Sequence, residues 1–144
     1  LSRSYISVDL RKRAAERAVN SCEDCLIPIL FGLTTPYHID HIISEKHGGS
    51  TTLENLALSC PTCNFYKGSD ISSYLAAFDV GVNLYHPRKD EWSNHFTLTD
   101  NGNLVSKSNI ATATIKLLHL NDPNQIELRA LLIEGEVLVT DSKS

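Results

Sequence analysis

Apolar side chains at Leu10, Ala14, Ala15, Ala18 and Val19 recur close to the 3.6-residue repeat, so VDLRKRAAERAV over 8–19 reads as a helix. The pattern then changes. LIPILFG and YHIDHII, the second rich in β-branched and aromatic residues, flank a turn around Thr34-Thr35-Pro36 and predict a β-hairpin over 26–43. Thr51 and Glu54 have capping-box spacing, which places a short helix from Thr52 through ENLAL to Cys60. Pro61 and Gly68 suit the first turn and the end of a second short helix. Residues 69–95 are less regular. Asn101-Gly102 between FTLTD and NLVS predicts a tight hairpin turn. SNIATATIKLLHL over 108–120 reads as a helix with one apolar face. Asp122-Pro123 with Gln125 opens a last helix ending near Gly135, and TDSKS at the end reads as frayed. The elements make an α+β chain with no internal repeat, and 144 residues fit a single domain over 1–144.

Composition adds limits. Hydrophobic residues at 42% and charged residues at 21% are a soluble, globular balance. No apolar run reaches the roughly 18 residues needed to span a membrane, and the N-terminus lacks a secretory signal pattern, so a cytoplasmic setting is the expectation. The missing initial Met is what a trimmed piece of a longer chain would show. The net charge of −4 argues mildly against a nucleic-acid partner, since domains that bind phosphate are usually basic. Its distribution softens that objection. Arg3, Arg11, Lys12, Arg13 and Arg17 outweigh Asp9 and Glu16 by +3 within residues 1–20, leaving −7 for the rest. A basic helix on an acidic body suits either a solvated face or a DNA-facing one.

The four cysteines form two C-x-x-C pairs, Cys22/Cys25 and Cys60/Cys63, with 34 residues between Cys25 and Cys60. Two such knuckles supply four thiolates for one tetrahedral zinc, and four cysteine ligands leave no open position, so the site would be structural. Disulfides would need an oxidising compartment, a redox pair would explain one knuckle and not two, and iron is chemically allowed. The segment between the knuckles is short, so metal binding would supply much of its folding free energy.

HIDHIIS and HGGSTTLENLALSC lie at or before the second knuckle, and Asn64 directly follows it. Phosphodiester hydrolysis needs an activated water and a cation to stabilise charge on phosphate and leaving oxygen. Histidine suits the first task, and Asp and Asn supply the oxygen ligands that a hard cation prefers. Asp40 and His41 are neighbours on a strand and start toward opposite faces, so a strand end or bend must bring both to one site. CEDC, DHII, HGGS, ENLAL and CPTCN, in this order, resemble the HNH endonuclease family. YHPRKDEWSNHF and IATATIKLLHL look like a stand-alone bacterial HNH subgroup, so the resemblance covers roughly residues 10–134.

The resemblance implies a ββα-metal core over about 20–70 on a four-cysteine treble-clef zinc site. An N-terminal helix precedes that core, and an extension over about 71–136 holds a hairpin and two helices. By the same resemblance His41 is the general base, Asp40 and Asn64 are ligands of a catalytic metal, and Asn55 ties loop to strand and holds His41. Asn64 stands where the family's third letter is His. This H-N-N variant implies Mg2+ or Mn2+ for catalysis beside one structural Zn2+. The implied activity is cleavage of DNA, most readily double-stranded, leaving a 3′-hydroxyl and a 5′-phosphate.

Five further residues are candidate nucleic-acid contacts. On a regular strand His38 shares the face of Asp40, His47 sits in the glycine loop, and Lys67 lies three residues after Asn64. Arg88 and His95 belong to a cluster in which Trp92 and Phe96 read as packing. Such binding would be weak and salt-sensitive, which leaves room for a partner protein or a dimer. The alternative is a non-catalytic zinc module that binds nucleic acid or protein. It would use the same cysteines but has no need of Asp40, His41, Asn55 and Asn64 together.

Overall fold

The computed structural model describes residues 5–30 and 36–140. They fall into two compact units, the first running to Ile71 and including His86–Lys89, the second holding Ser72–Tyr85 and the chain from Asp90 onward. The elements are helices and two-stranded antiparallel sheets, an α+β architecture.

The first unit opens with helix α1, Val8–Arg17, whose first turn is capped by the Ser7 hydroxyl accepting from the Leu10 amide at 3.1 Å. It ends before residue 19, because Val19 and Asn20 take positive φ values of 53° and 57°. Strand β1, His38–His41, pairs antiparallel with β2, Leu56–Ser59, with Asp40 opposite Ala57 and His41 opposite Leu56. The hairpin expected over 26–43 is therefore corrected, and its turn at residues 34–35 lies outside the described residues. Among the described residues the earlier arm makes only an isolated bridge between Ser21 and Pro28. Pro28 has no amide hydrogen to give a ladder, and Leu26 sits at φ 71°.

The helix expected over 52–60 is corrected too. Only Leu53–Asn55 make one 3-10 turn before β2 begins. All four residues of β2 are buried, so no face is left for the solvated side of a surface helix. Helix α2, Pro61–Lys67, lies where Pro61 and Gly68 predict it. Helix α1 packs on β1 and β2 through the fully buried Ala14. Its Arg17 guanidinium donates to the Leu53 and Leu56 carbonyls at 2.8 and 2.6 Å.

The second unit has a hairpin of β3, Ser72–Leu75, and β4, Val80–Asn83. A short helix α3, Trp92–His95, leads into β5, Phe96–Leu98, which pairs with β6, Leu104–Ser106. Helices α4, Asn109–Leu118, and α5, Pro123–Glu134, follow as expected. Gly102 sits at φ 87° in the β5–β6 turn, where a Cβ would strike the Ile126 carbonyl. The buried Arg129 guanidinium donates to the Gly102 carbonyl at 2.8 Å and to the Leu120 carbonyl at 2.5 Å. The tail is not frayed at Thr140, which is buried and donates to Asp100 at 2.8 Å, while residues 141–144 lie outside the described residues. No described helix is long and apolar enough to cross a membrane.

Candidate active site

Cys22, Cys25, Cys60 and Cys63 are all buried, and their sulfurs lie within 4.8 Å of one another. Four sulfurs at about 2.3 Å from a tetrahedral zinc stand about 3.8 Å apart, and Cys25 Sγ to Cys60 Sγ is 3.7 Å. The four cysteines are thus positioned to hold a metal ion, consistent with zinc. Cys60 also caps α2, its sulfur accepting from the Cys63 amide at 3.4 Å. Crowding splits the thiols: hydrogen bonds from Cys22, Cys25 and Cys63 hold Cys60 far below its ordinary range, while bonds with Cys22, Cys25 and Cys60 push Cys63 well up. A cation among them removes that conflict, because every sulfur can then ionise.

The first knuckle is fastened to β2. The Glu23 amide donates to the Leu58 carbonyl at 3.0 Å, and the Glu23 carboxylate accepts from the Leu58 amide at 2.9 Å. Arg88 pairs with the same carboxylate, and burial pulls its guanidinium down to about 10, still cationic at neutral pH.

Beside the cysteines, Asp40, His41 and Asn64 line one cleft of about 600 Å³, together with His38, Glu45 and Lys46. Asp40 sits inside β1 and turns toward α2, where the Lys67 ammonium meets its Oδ2 at 2.9 Å. His41 is the last residue of β1, and its Nε2 meets Thr51 Oγ1 at 2.9 Å and Glu45 Oε1 at 3.2 Å. A carboxylate at Nε2 favours the tautomer with hydrogen there, which leaves the lone pair on Nδ1.

Asn55 is buried and uses both ends of its amide. Its Oδ1 accepts from the Ile43 amide at 2.9 Å, and its Nδ2 donates to the Ile43 and Ser50 carbonyls at 2.9 and 2.8 Å. It thereby ties the chain just past β1 to the glycine loop. Gly49 closes the same knot, since a Cβ there would run into the Ile43 carbonyl and the Asn55 amide.

Residues 22–70 match the family model described as HNH endonuclease. The match runs from the first knuckle to just beyond α2, about a third of the chain, and takes in every residue of the cluster and the cleft named above except Arg88. HNH domains are nucleases in general, so the match points to nuclease chemistry. No curated protein and no solved structure matches the chain.

Within the HNH segment, His38 is exposed and lines the cleft, and His47 is exposed at the end of the 3-10 turn Glu45–His47. Lys67 points inward, with only 7% of its surface exposed. Arg88 packs on the knuckle at Glu23. His95 belongs to the second unit, where its Nδ1 lies 2.6 Å from the Ser108 hydroxyl that caps α4. Trp92 and Phe96 stack with ring centroids 5.1 Å apart. Sequence reasoning missed Glu45 and Thr51. Glu45 lies four residues after His41, a spacing without meaning on a strand but decisive once a 3-10 turn follows β1.

Proposed function

We propose that the chain is a metal-dependent endonuclease that hydrolyses phosphodiester bonds in DNA, double-stranded DNA foremost. The observation that supports this reading is that Asp40, His41 and Asn64 line one cleft within the HNH segment. His41 acts as general base through Nδ1, taking the proton of the attacking water while Glu45 and Thr51 hold Nε2. Asp40 and Asn64 offer the oxygen ligands that suit Mg2+ or Mn2+. When bound, such an ion supplies the positive charge that offsets charge building on the phosphate and the leaving oxygen. Asn55 holds the backbone on which His41 ends. The cysteines hold structural zinc and take no part in cutting. His38, Lys46 and His47 are the side chains best exposed to meet phosphate.

Plasmid cleavage by the zinc-loaded protein with Mg2+, Mn2+ or EDTA tests the reading. Wild type nicks or cuts with a divalent ion and not with EDTA, and His41→Ala loses about 10²-fold or more in rate. Asn64→Ala loses activity in the same assay. A folded, zinc-loaded wild type that cuts nothing with any ion, or a His41→Ala variant that cuts as well as wild type, refutes it and leaves the non-catalytic zinc module standing.

A further inference from the structure

Lys67 pairs with Asp40, a residue that lines the cleft, and the proposed nuclease chemistry gives it no role. Its ammonium lies 2.9 Å from Asp40 Oδ2 and donates to the His41 carbonyl at 3.1 Å. The two paired side chains are 9% and 15% exposed, so water screens the pair poorly. A surface lysine at the end of a helix would ordinarily keep its ammonium in solvent. Here α2 carries Asn64 and Lys67 one helical turn apart, on the face that meets β1. An organic monocation is thus built onto the very carboxylate that would ligate the catalytic ion.

We propose that Lys67 is an internal counter-cation that competes with the catalytic metal for Asp40, so that metal uptake and release of Lys67 are a single exchange. This rests on Asp40 being a metal ligand, as proposed above. While the pair stands, the ammonium keeps a nearly buried carboxylate neutralised, which favours a folded site in the absence of divalent ions. The same pairing sets a threshold. A divalent ion must outbid a cation that is already in place, and the carboxylate cannot give its full charge to both. The site then loads only when divalent ion is plentiful.

The test is Mn2+ binding to the zinc-loaded protein without DNA, read from loss of the free-ion EPR signal. The four thiolates favour zinc, so Mn2+ reports on the oxygen site. Removing one cationic charge beside the ion in Lys67→Met is expected to tighten Mn2+ about tenfold or more. Lys67→Arg, which keeps the charge, is expected to stay within a few-fold of wild type. Thermal unfolding in parallel shows whether Lys67→Met is folded, and if it is not, Lys67→Gln replaces it. Unchanged or weaker Mn2+ binding by a folded, charge-neutral variant overturns the proposal and makes Lys67 a structural brace. Asp40→Asn separates the two readings. If it binds Mn2+ as well as wild type, the ligand assignment of Asp40 itself is wrong, whatever Lys67 does.

Discussion

Replacing Asn55 with alanine should unfasten the site without touching any group that reacts. The side chain is 7% exposed and makes three hydrogen bonds at 2.8–2.9 Å, one accepted from the Ile43 amide and two donated to the Ile43 and Ser50 carbonyls. Each contributes about 1 kcal/mol net, and their removal strands three backbone groups where water enters poorly, so about 3 kcal/mol of stability should go. For a unit of this size that is a fall in Tm of about 10–20 °C. Asn55→Asp sharpens the test because its size is unchanged. Its carboxylate still accepts from the Ile43 amide but sets a charged oxygen against two carbonyls, so it should lose at least as much at neutral pH. Urea unfolding at fixed free zinc gives the free energies, since changing zinc would shift stability by mass action. Hydrogen exchange at the Ile43 amide should quicken in both variants. If Asn55→Ala lies within about 0.5 kcal/mol of wild type, the bonds are not holding the loop, and the account of Asn55 as a fastener is wrong.

Gly49→Ala should cost several kcal/mol in the same urea assay, because its Cβ meets the Ile43 carbonyl. Gly48→Ala should cost about 1 kcal/mol, since that Cβ enters open space and only the φ of 88° is strained. Equal losses at the two positions would contradict the close approach at Gly49. Metal analysis should find one zinc per chain, and stripping it with a strong chelator, or Cys63→Ser, should melt the ββα core as followed by circular dichroism. Retention of full structure without zinc would show the cluster to be dispensable. Glu45→Gln should lower kcat for DNA cleavage about 10-fold with little change in KM, and should shift the His41 ring nitrogens in ¹⁵N NMR by weakening the preference for hydrogen on Nε2. An unchanged NMR signature would remove Glu45 from any role in orienting the base.

The cysteine cluster could be read from the chain because its chemistry is local: each knuckle needs two thiolates three residues apart, and that spacing is visible without the fold. Helices α2 and α5 were legible for a like reason, since Pro61 and Pro123 mark their starts within one turn, and α4 was legible from the apolar face of residues 108–120. The partner of β1 was not. Leu56–Ser59 is composed of residues that favour helix or are neutral, and it becomes a strand because it pairs with β1 and is buried in contact with α1. Lys67 misled for the opposite reason. A lysine ending a short helix carries every mark of a solvated residue, and nothing in its neighbours along the chain reveals that Asp40, 27 positions earlier, stands within reach.

Asp40 and His41 pose a difficulty on sequence grounds, because adjacent strand residues face opposite ways while the proposed reaction needs both. The fold resolves it by ending the strand. Asp40 lies within the ladder and points toward α2, as its contact with Lys67 requires. His41 is the last residue of β1; the Ile42 amide still bonds the Asn55 carbonyl opposite it in the same register, and only then does the chain leave the ladder, the Ile43 amide bonding the Asn55 side chain instead. The 3-10 turn that follows brings Glu45 back onto the His41 ring. Both residues then border one cleft. On the proposed mechanism Asn55 would therefore matter without touching substrate, since it fixes the chain just past β1 and with it the direction of His41.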